Sequence, residues 1–138
     1  MNPTTALTTP EQQALAAALD DEYKSHETYQ RVIADFGPVR PFINIVEAEA
    51  RHIAALLDLF AKYGLAPPAN RWAGQAARYA DLHAACVAGV QGEIDNVALY
   101  DGLLQATRRP DLLQVFQALR AASQDRHLPA FQRCVQRG

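Results

Sequence analysis

Several features that define other protein classes are scarce or missing in this chain of 138 residues. β-Branched residues are few beside the many alanines and leucines, which argues against a sheet and predicts an all-helical protein. No apolar run approaches the roughly 20 residues that a membrane span requires. The formal net charge of -2 argues against a nucleic-acid backbone as the partner.

The N-terminus and the cysteines narrow the class further. Residues 1–9 are polar and threonine-rich and lack the basic and apolar segments of a signal peptide, so they predict a flexible tail. Two cysteines are too few for a disulfide scaffold in a chain of this size. We therefore expect one domain over residues 10–138, in a cytoplasmic protein that does not enter a membrane.

Proline and glycine divide the first half of the chain into two helices. The first is predicted over residues 10–36, with Thr9 as its N-cap and Gln12 closing a capping box. The second is predicted over residues 41–63, with Gly64 in the left-handed position that follows a helix end. The short connection between them predicts antiparallel neighbours.

The second half begins with a long connection and continues with two more helices. Residues 64–81 are longer than the usual link between bundle helices, and extended they can cross a bundle from end to end. The third helix is predicted from its N-cap Asp81 to about Thr107. The fourth starts near Pro110 and continues to the C-terminus. Pro129 should bend this helix just beyond His127.

Titratable side chains stand on the apolar faces of these helices. The face of the second helix reads Phe42, Ile45, Glu49, His52, Leu56, Leu59 and Tyr63. Glu49 and His52 are three residues apart and so lie on one side of the helix. A buried unpaired charge is costly, so both groups need a partner. A metal ion meets that need, and a simple buried ion pair is the alternative. The matching faces of the other helices carry Glu22, His26, Tyr29, Glu93, Tyr100 and His127.

The polar positions also repeat along the chain. A shift of 71 residues places Glu22 on Glu93, and it places Tyr29 on Tyr100 in the same way. A shift of 75 residues aligns EARH at 49–52 with QDRH at 124–127. An antiparallel helix pair therefore occurs twice, which predicts a four-helix bundle with approximate two-fold symmetry.

On these residues the chain resembles the ferritin-like di-iron carboxylate superfamily, which includes ferritins and rubrerythrins. Those proteins carry one Glu on each of two helices and Glu-x-x-His on each of the other two. The run from Ser123 to Phe131 is similar to an uncharacterised bacterial branch, in which a serine precedes the histidine by four positions and Leu-x-Ala-Phe follows it. The resemblance implies a ferritin-like antiparallel four-helix bundle with a long crossover between the second and third helices.

The resemblance also implies a metal centre. Its ligands would be Glu22, Glu49, His52, Glu93 and His127. Carboxylates and imidazoles suit iron, manganese or zinc, and the resemblance makes iron the expected metal. Metal ions and a small oxidant are then the expected partners, and a homodimer is a common assembly among similar proteins.

The fourth helix departs from the family pattern. Gln124 stands where the second bridging glutamate is expected. A neutral amide cannot supply the negative charge of a bridge between two cations, so we expect one ion to bind tightly and the second weakly or not at all. His26, one turn from Glu22, is an additional ligand that would compensate.

Two further pairs of residues leave alternatives open. Tyr29 and Tyr100 are either hydrogen-bond donors or redox-active phenols beside the metal, or simply core aromatics. Cys86 and Cys134 fall at one level of antiparallel helices, where they form either a redox-sensitive pair or, as we favour, two small buried hydrophobes.

Three functions follow from these expectations. The first is a non-haem iron protein that reacts with dioxygen or peroxide or handles iron, an oxidoreductase in the first case. The second is a metal-binding bundle without turnover, and the third is a metal-free structural or interaction bundle. The chain has no Cys-x-x-Cys pair of the kind that forms a rubredoxin-like domain, so a redox cycle would need an external reductant.

Overall fold

A computed structural model describes residues 6–137, and every regular element in that range is helical. The helices are α1 (Thr9–Phe36), α2 (Phe42–Lys62), α3 (Leu82–Leu103), α4 (Pro110–Ala122) and α5 (Leu128–Arg137), with a π-helical turn at Ser123–His127 between α4 and α5. α1 packs mainly on α2, and α3 packs mainly on α5. The prediction of an all-α bundle is confirmed. Within the described residues, no helix is both long enough and apolar enough to cross a membrane.

The first helix starts one residue earlier than predicted. Thr8, rather than Thr9, is its N-cap, and the Thr8 hydroxyl accepts a hydrogen bond from the backbone N–H of Glu11 at 3.2 Å. The Glu11 carboxylate accepts the backbone N–H of Thr8 in return, at 2.9 Å. Glu11 therefore closes the capping box. The Gln12 amide instead donates to the carbonyl of Leu7.

Residues 6 and 7 contact the rest of the bundle, although the sequence predicted a flexible tail up to residue 9. Leu7 is 7% exposed and belongs to the apolar core. The Ala6 carbonyl accepts a hydrogen bond from the guanidinium of Arg109. Residues 1–5, the remainder of the predicted tail, lie outside the described residues.

The second helix ends as predicted. Gly64 has a φ of 67°, the left-handed conformation that glycine adopts most easily. The N–H of Leu65 donates to the carbonyl of Phe60 at 2.9 Å, and the N–H of Gly64 donates to that of Ala61 at 3.1 Å. These two bonds form a Schellman motif, which satisfies carbonyls at the end of the helix.

The third helix starts as predicted but ends four residues early. The Asp81 carboxylate accepts the N–H of Ala84 at 2.8 Å and caps the helix. The helix stops at Leu103, although the periodic pattern predicted an end near Thr107. Thr107 is buried in the following turn, where its hydroxyl donates to Glu11 at 2.5 Å. A buried polar contact between distant segments thus replaces the last helical turn.

The fourth predicted helix contains an irregular turn. The N–H of Leu128 donates to the carbonyl of Ser123, five residues back, and this bond defines the π-helical turn over residues 123–127. Pro129 follows directly and has no N–H to offer the carbonyl of Asp125. The sequence predicted a disturbance at this proline but not a π-helical turn.

The apolar core consists of two clusters. The first includes Leu15, Leu19, Leu56, Leu112 and Phe116. The second includes Tyr29, Val32, Phe42, Cys86, Phe131 and Cys134. Along each helix, a buried polar residue lies between the members of these clusters: Glu22, Glu49, Glu93 and His127. The bundle therefore carries one polar layer with apolar packing on both sides.

The long connection between α2 and α3 lies along α1. The Trp72 indole N–H donates to Asp20 at 3.1 Å, and the Arg78 guanidinium donates to Asp35 at 3.3 Å. Fifteen helical residues separate these two carboxylates, a length of roughly 22 Å along the helix axis. The connection is therefore in contact with much of the length of α1.

A disulfide joins α3 to α5. Cys86 and Cys134 form the bond, and both lie in the second apolar cluster. The sequence spacing predicted that the two cysteines lie at one level of neighbouring helices, and the bond between them confirms this. The favoured interpretation, two unlinked small hydrophobes, is wrong. Sequence spacing brings two sulfurs near each other but does not decide whether they bond.

We predict that Glu11 contributes to the free energy of unfolding. Glu11→Gln replaces the carboxylate that accepts from Thr8, Thr107 and Arg109, and it should lower the free energy of unfolding by about 1–2 kcal/mol. Urea denaturation measures this value. Glu47→Gln, at an exposed position of α2, is the matched control. Equal values for both variants would contradict this role of Glu11.

Candidate metal centre

Two groups of metal-ligand type form within the polar layer. Glu22, Glu49 and His52 make up the first group, and Glu49, Glu93 and His127 make up the second. In each group the ligand atoms lie within 4.8 Å of one another. Glu49 belongs to both groups and therefore stands between them. The structure brings together all five residues that the sequence predicted, and metal binding by them stays a prediction.

Both histidines turn the same ring nitrogen toward the carboxylates. His52 Nδ1 lies 3.5 Å from Glu22 Oε2 and 3.7 Å from Glu49 Oε2. His127 Nδ1 lies 3.0 Å from Glu93 Oε1 and 3.4 Å from Glu49 Oε1. The two rings stack with their centroids 5.7 Å apart and an interplanar angle of 19°. The two halves of the site are therefore similar in composition and geometry.

Gln124 does not occupy the position that the internal repeat predicted for it, opposite the layer of buried glutamates. Its side chain is exposed, and its carbonyl oxygen accepts a hydrogen bond from Arg120 at 2.5 Å. Ser123 and His127 are the buried residues of the π-helical turn. The wider turn holds one more residue than an α-helical turn and changes which side chains face inward. The prediction that Gln124 replaces a bridging glutamate is therefore wrong.

Two tyrosines donate hydrogen bonds to the carboxylates of the layer. The hydroxyl of Tyr29 donates to Glu93 Oε2 at 2.6 Å, and the hydroxyl of Tyr100 donates to Glu22 Oε1 at 2.7 Å. Each tyrosine belongs to the opposite half of the repeat from its glutamate. These contacts support the interpretation of both tyrosines as donors that orient candidate ligands. Their redox activity stays untested.

Asn96 is a buried site residue that sequence reasoning missed. Its amide donates to Asp21 at 2.6 Å and lies 3.5 Å from Glu22. Its carbonyl oxygen accepts the hydroxyl of Ser123 at 2.6 Å. The sequence contains a signal for it, because Asn96 lies three residues after Glu93 and therefore on the same side of α3.

His26 belongs to neither ligand group among the described residues. It is only partly buried, although it lies four residues after the buried Glu22. The prediction that His26 compensates for a missing glutamate therefore finds no support in the geometry. The candidate ligands are therefore the five residues of the two groups.

Burial of Glu22 and the carboxylates around the two histidines leave this cluster with extra protons when no metal is bound. Burial, followed by repulsion from Glu49, raises the pKa of Glu22 to about 8. Burial also disfavours a charged Glu49, but contacts with Glu22, His127 and His52 outweigh burial and lower the pKa of this carboxyl. Burial opposes the charged imidazoles too, yet the adjacent carboxylates raise the pKa of His52 and of His127 to about 9. Two imidazolium ions and one carboxyl proton therefore offset the carboxylates near neutral pH.

The site also contains polar atoms that lack a hydrogen-bond partner. Glu49 Oε2 and His52 Nδ1 are both buried, and neither forms a hydrogen bond. Buried polar atoms in folded proteins almost always have a partner, so such a pair calls for a further group. A cation between them would meet both a carboxylate oxygen and an imidazole nitrogen. This donor set fits iron, manganese or zinc.

A cavity of about 330 Å³ opens beside the two imidazole rings. Its walls come from α2 on one side and from the π-helical turn and α5 on the other, with Arg51, His52, Arg126 and His127 among the lining residues. A small molecule in this cavity would therefore lie next to both imidazole rings.

Comparison with known proteins gives a shared fold and no function. No known sequence family matches the chain, and no curated protein matches it either. The chain is similar to the crystal structure of hypothetical protein MJ0754 from Methanococcus jannaschii DSM 2661, with a TM-score of 0.85 and 19% sequence identity. The match covers 95% of this chain and 82% of that chain. Similarity at this level of identity concerns the fold alone.

We predict that the metal-free protein loses stability as the pH rises. The folded-state pKa values are about 9 for His52 and His127 and about 8 for Glu22, above their ordinary values of 6.5 and 4.5. A raised folded-state pKa stabilises the fold below the unfolded-state pKa, and this contribution is lost as the pH rises through the folded-state value.

Thermal denaturation with a chelator present tests this prediction. The melting temperature should fall between about pH 6.5 and about pH 9, and the fall should be shallower in His52→Gln. His83→Gln, at an exposed position near the start of α3, is the control and should behave like the natural protein. A melting temperature that stays constant over this range in the natural protein would contradict the protonation scheme.

Proposed function

We propose that this protein is a ferritin-like metal protein whose bundle holds iron for chemistry with dioxygen or peroxide, or for iron handling. The observation that carries the proposal is the pair of ligand groups that share Glu49. A shared carboxylate between two Glu–His sets is the arrangement expected of a two-metal carboxylate site. The unpartnered atoms of Glu49 and His52 support the same conclusion, because a cation would satisfy both.

The topology supports the ferritin-like part of this proposal. Residues 64–81 lie along α1 through the contacts of Trp72 and Arg78 described above. A connection that returns along the bundle before α3 begins is what the long crossover of a ferritin-like fold would require. The cytoplasmic location and the homodimer that we expect from the sequence stay predictions.

Each ligand group would hold one ion. Glu22 and His52 would bind the first ion, Glu93 and His127 would bind the second, and Glu49 would serve both. When bound, iron would supply redox chemistry and polarise an oxygen species. Tyr29 and Tyr100 would fix the outer glutamates by their hydrogen bonds. The apolar clusters would keep water away, and the cavity beside the imidazoles would admit a small oxidant.

The number of carboxylates predicts unequal affinities for the two ions. Two divalent cations bring four positive charges, and three carboxylates offset only three of them. The second ion therefore binds against the repulsion of the first. This reason replaces the one drawn from Gln124, since the Gln124 side chain lies outside the site. The expectation of one tighter and one weaker ion is unchanged.

A metal-free bundle is the second candidate function. His127 Nδ1 lies 3.0 Å from Glu93, so one half of the layer already contains a close ion pair. In such a protein the polar layer would serve structural specificity, a role that buried polar groups have in some bundles. The two candidates differ in whether metal stabilises the fold, because an ion that binds the native state must raise its stability.

Ferrous iron titration under anaerobic conditions tests the proposal. The natural protein should bind up to two ions per chain, and iron should raise its melting temperature. Glu49→Gln should weaken binding of the first ion by about tenfold or more, because one charged ligand of each group becomes neutral. Gln124→Ala is the matched control and should bind iron like the natural protein, since its side chain is exposed.

Exposure of the loaded protein to air separates turnover from binding. Oxidation of the bound iron should produce a near-ultraviolet absorption that the metal-free protein lacks. Binding without oxidation would favour a metal-binding bundle without turnover. The absence of both binding and thermal stabilisation in the natural protein, with circular dichroism confirming a folded chain, would overturn the proposal in favour of the metal-free bundle.

A further inference from the structure

A second cavity, of about 430 Å³, opens at the disulfide between α3 and α5. Its lining residues are Val39, Arg40, Leu82, His83, Cys134 and Arg137. None of them belongs to the candidate metal centre. The cavity is large enough for a small organic molecule and adjoins one cysteine of the disulfide.

The two cysteines of the disulfide differ in access. Cys86 is fully buried, whereas Cys134 is 6% exposed and lines the cavity. A molecule in the cavity therefore meets Cys134 and not Cys86. The asymmetry decides which sulfur is attacked, because an incoming thiolate attacks the more accessible sulfur and the other sulfur departs.

The cavity is also positively charged. Arg40 and Arg137 line it together with His83, and no acidic side chain is among its lining residues. Within residues 6–137, neither of these guanidinium groups takes part in a salt bridge. Arginine binds carboxylates through paired hydrogen bonds, so this surface favours an anionic molecule. Nearby cations also favour the thiolate form of a thiol, which is the reactive form.

We propose that Cys86–Cys134 is a thiol-exchange site for a small thiol that carries a carboxylate group. The carboxylate binds at Arg40 and Arg137 while the thiolate attacks the sulfur of Cys134. A new S–S bond forms to Cys134, the bond to Cys86 breaks, and Cys86 leaves as a thiolate that takes up the proton given up by the incoming thiol. A second thiolate then attacks the sulfur of the bound small thiol. Overall, two small thiols become one small disulfide, and both cysteines become thiols.

The packing around the disulfide is consistent with exchange in the folded state. Phe131 lies close to Tyr29 and Phe42, with ring centroids 5.3 and 5.2 Å away. Phe131 also fills the space above Gly89, where a Cβ atom would lie 2.6 Å from the ring. These apolar contacts hold α5 against α1, α2 and α3 without the covalent bond. Opening the disulfide therefore does not require the bundle to unfold.

Exchange kinetics with three small thiols test the proposal on metal-free protein. The probes are 3-mercaptopropionate, which is anionic, 2-mercaptoethanol, which is neutral, and cysteamine, which is cationic. Samples are alkylated at intervals, and mass spectrometry counts the free cysteines. Each rate is divided by the rate of the same thiol with hydroxyethyl disulfide, which removes differences in intrinsic reactivity. Circular dichroism checks that the chain stays folded.

The corrected rate should be highest for the anionic thiol, by about fivefold or more over the cationic one. The double variant Arg40→Gln, Arg137→Gln should lose this preference. The control is Arg133→Gln, which is exposed on α5 outside the cavity and should keep the preference. A salt concentration near 1 M should also reduce the preference in the natural protein, which gives a test independent of the variants.

Three results would overturn the proposal. Cysteines that become free only after denaturant is added would identify a purely structural disulfide. Equal corrected rates for the three thiols would exclude an anion-selective site. A preference that survives both high salt and the Arg40→Gln, Arg137→Gln variant would exclude a role for these guanidinium groups.

Discussion

The structure depends on how three glutamates are accommodated inside an apolar bundle. Glu22, Glu49 and Glu93 are each at most 2% exposed, and a buried carboxylate without compensation is strongly destabilising. Compensation comes from the imidazoles of His52 and His127, which lie within 3.0–3.7 Å of carboxylate oxygens. The bundle thus holds a set of charges that requires cations, and either protons or metal ions can supply them.

The surrounding structure stabilises and orients this layer. Apolar clusters above and below supply the burial that favours folding. Tyr29 and Tyr100 each fix one outer glutamate from the opposite half of the repeat. Glu49 has no such tyrosine, and its Oε2 atom has no hydrogen-bond partner. The central carboxylate therefore keeps one oxygen without a hydrogen bond, which an ion would satisfy.

Helical periodicity is enough to predict the fold class and the five converging residues. Each of the five lies on an apolar face, and a 3.6-residue period determines which side chains face inward. The internal repeat then predicts that they lie at one level, because it aligns Glu22 with Glu93 and His52 with His127. These two arguments use only backbone geometry, and α1, α2 and α3 follow that geometry through the site.

Features that depend on local departures from this geometry were not predictable in the same way. The π-helical turn changes which residues of the fourth helix face inward, so Gln124 became a false site residue. The end of α3 depends on a contact between Thr107 and Glu11, which are distant in sequence. Asn96 is buried because Ser123 and Asp21 satisfy its amide, a network that exists only in the folded chain. The bond between Cys86 and Cys134 depends on side-chain orientation and redox conditions.

The central claim is that Glu49 stands between two metal ions. Anomalous diffraction at the iron absorption edge, from crystals grown with ferrous iron without oxygen, tests it most directly. The account predicts two peaks of unequal height, one near Glu22 and His52 and the other near Glu93 and His127, with Glu49 between them. The absence of any peak in this layer, or one peak that does not touch Glu49, would contradict the account.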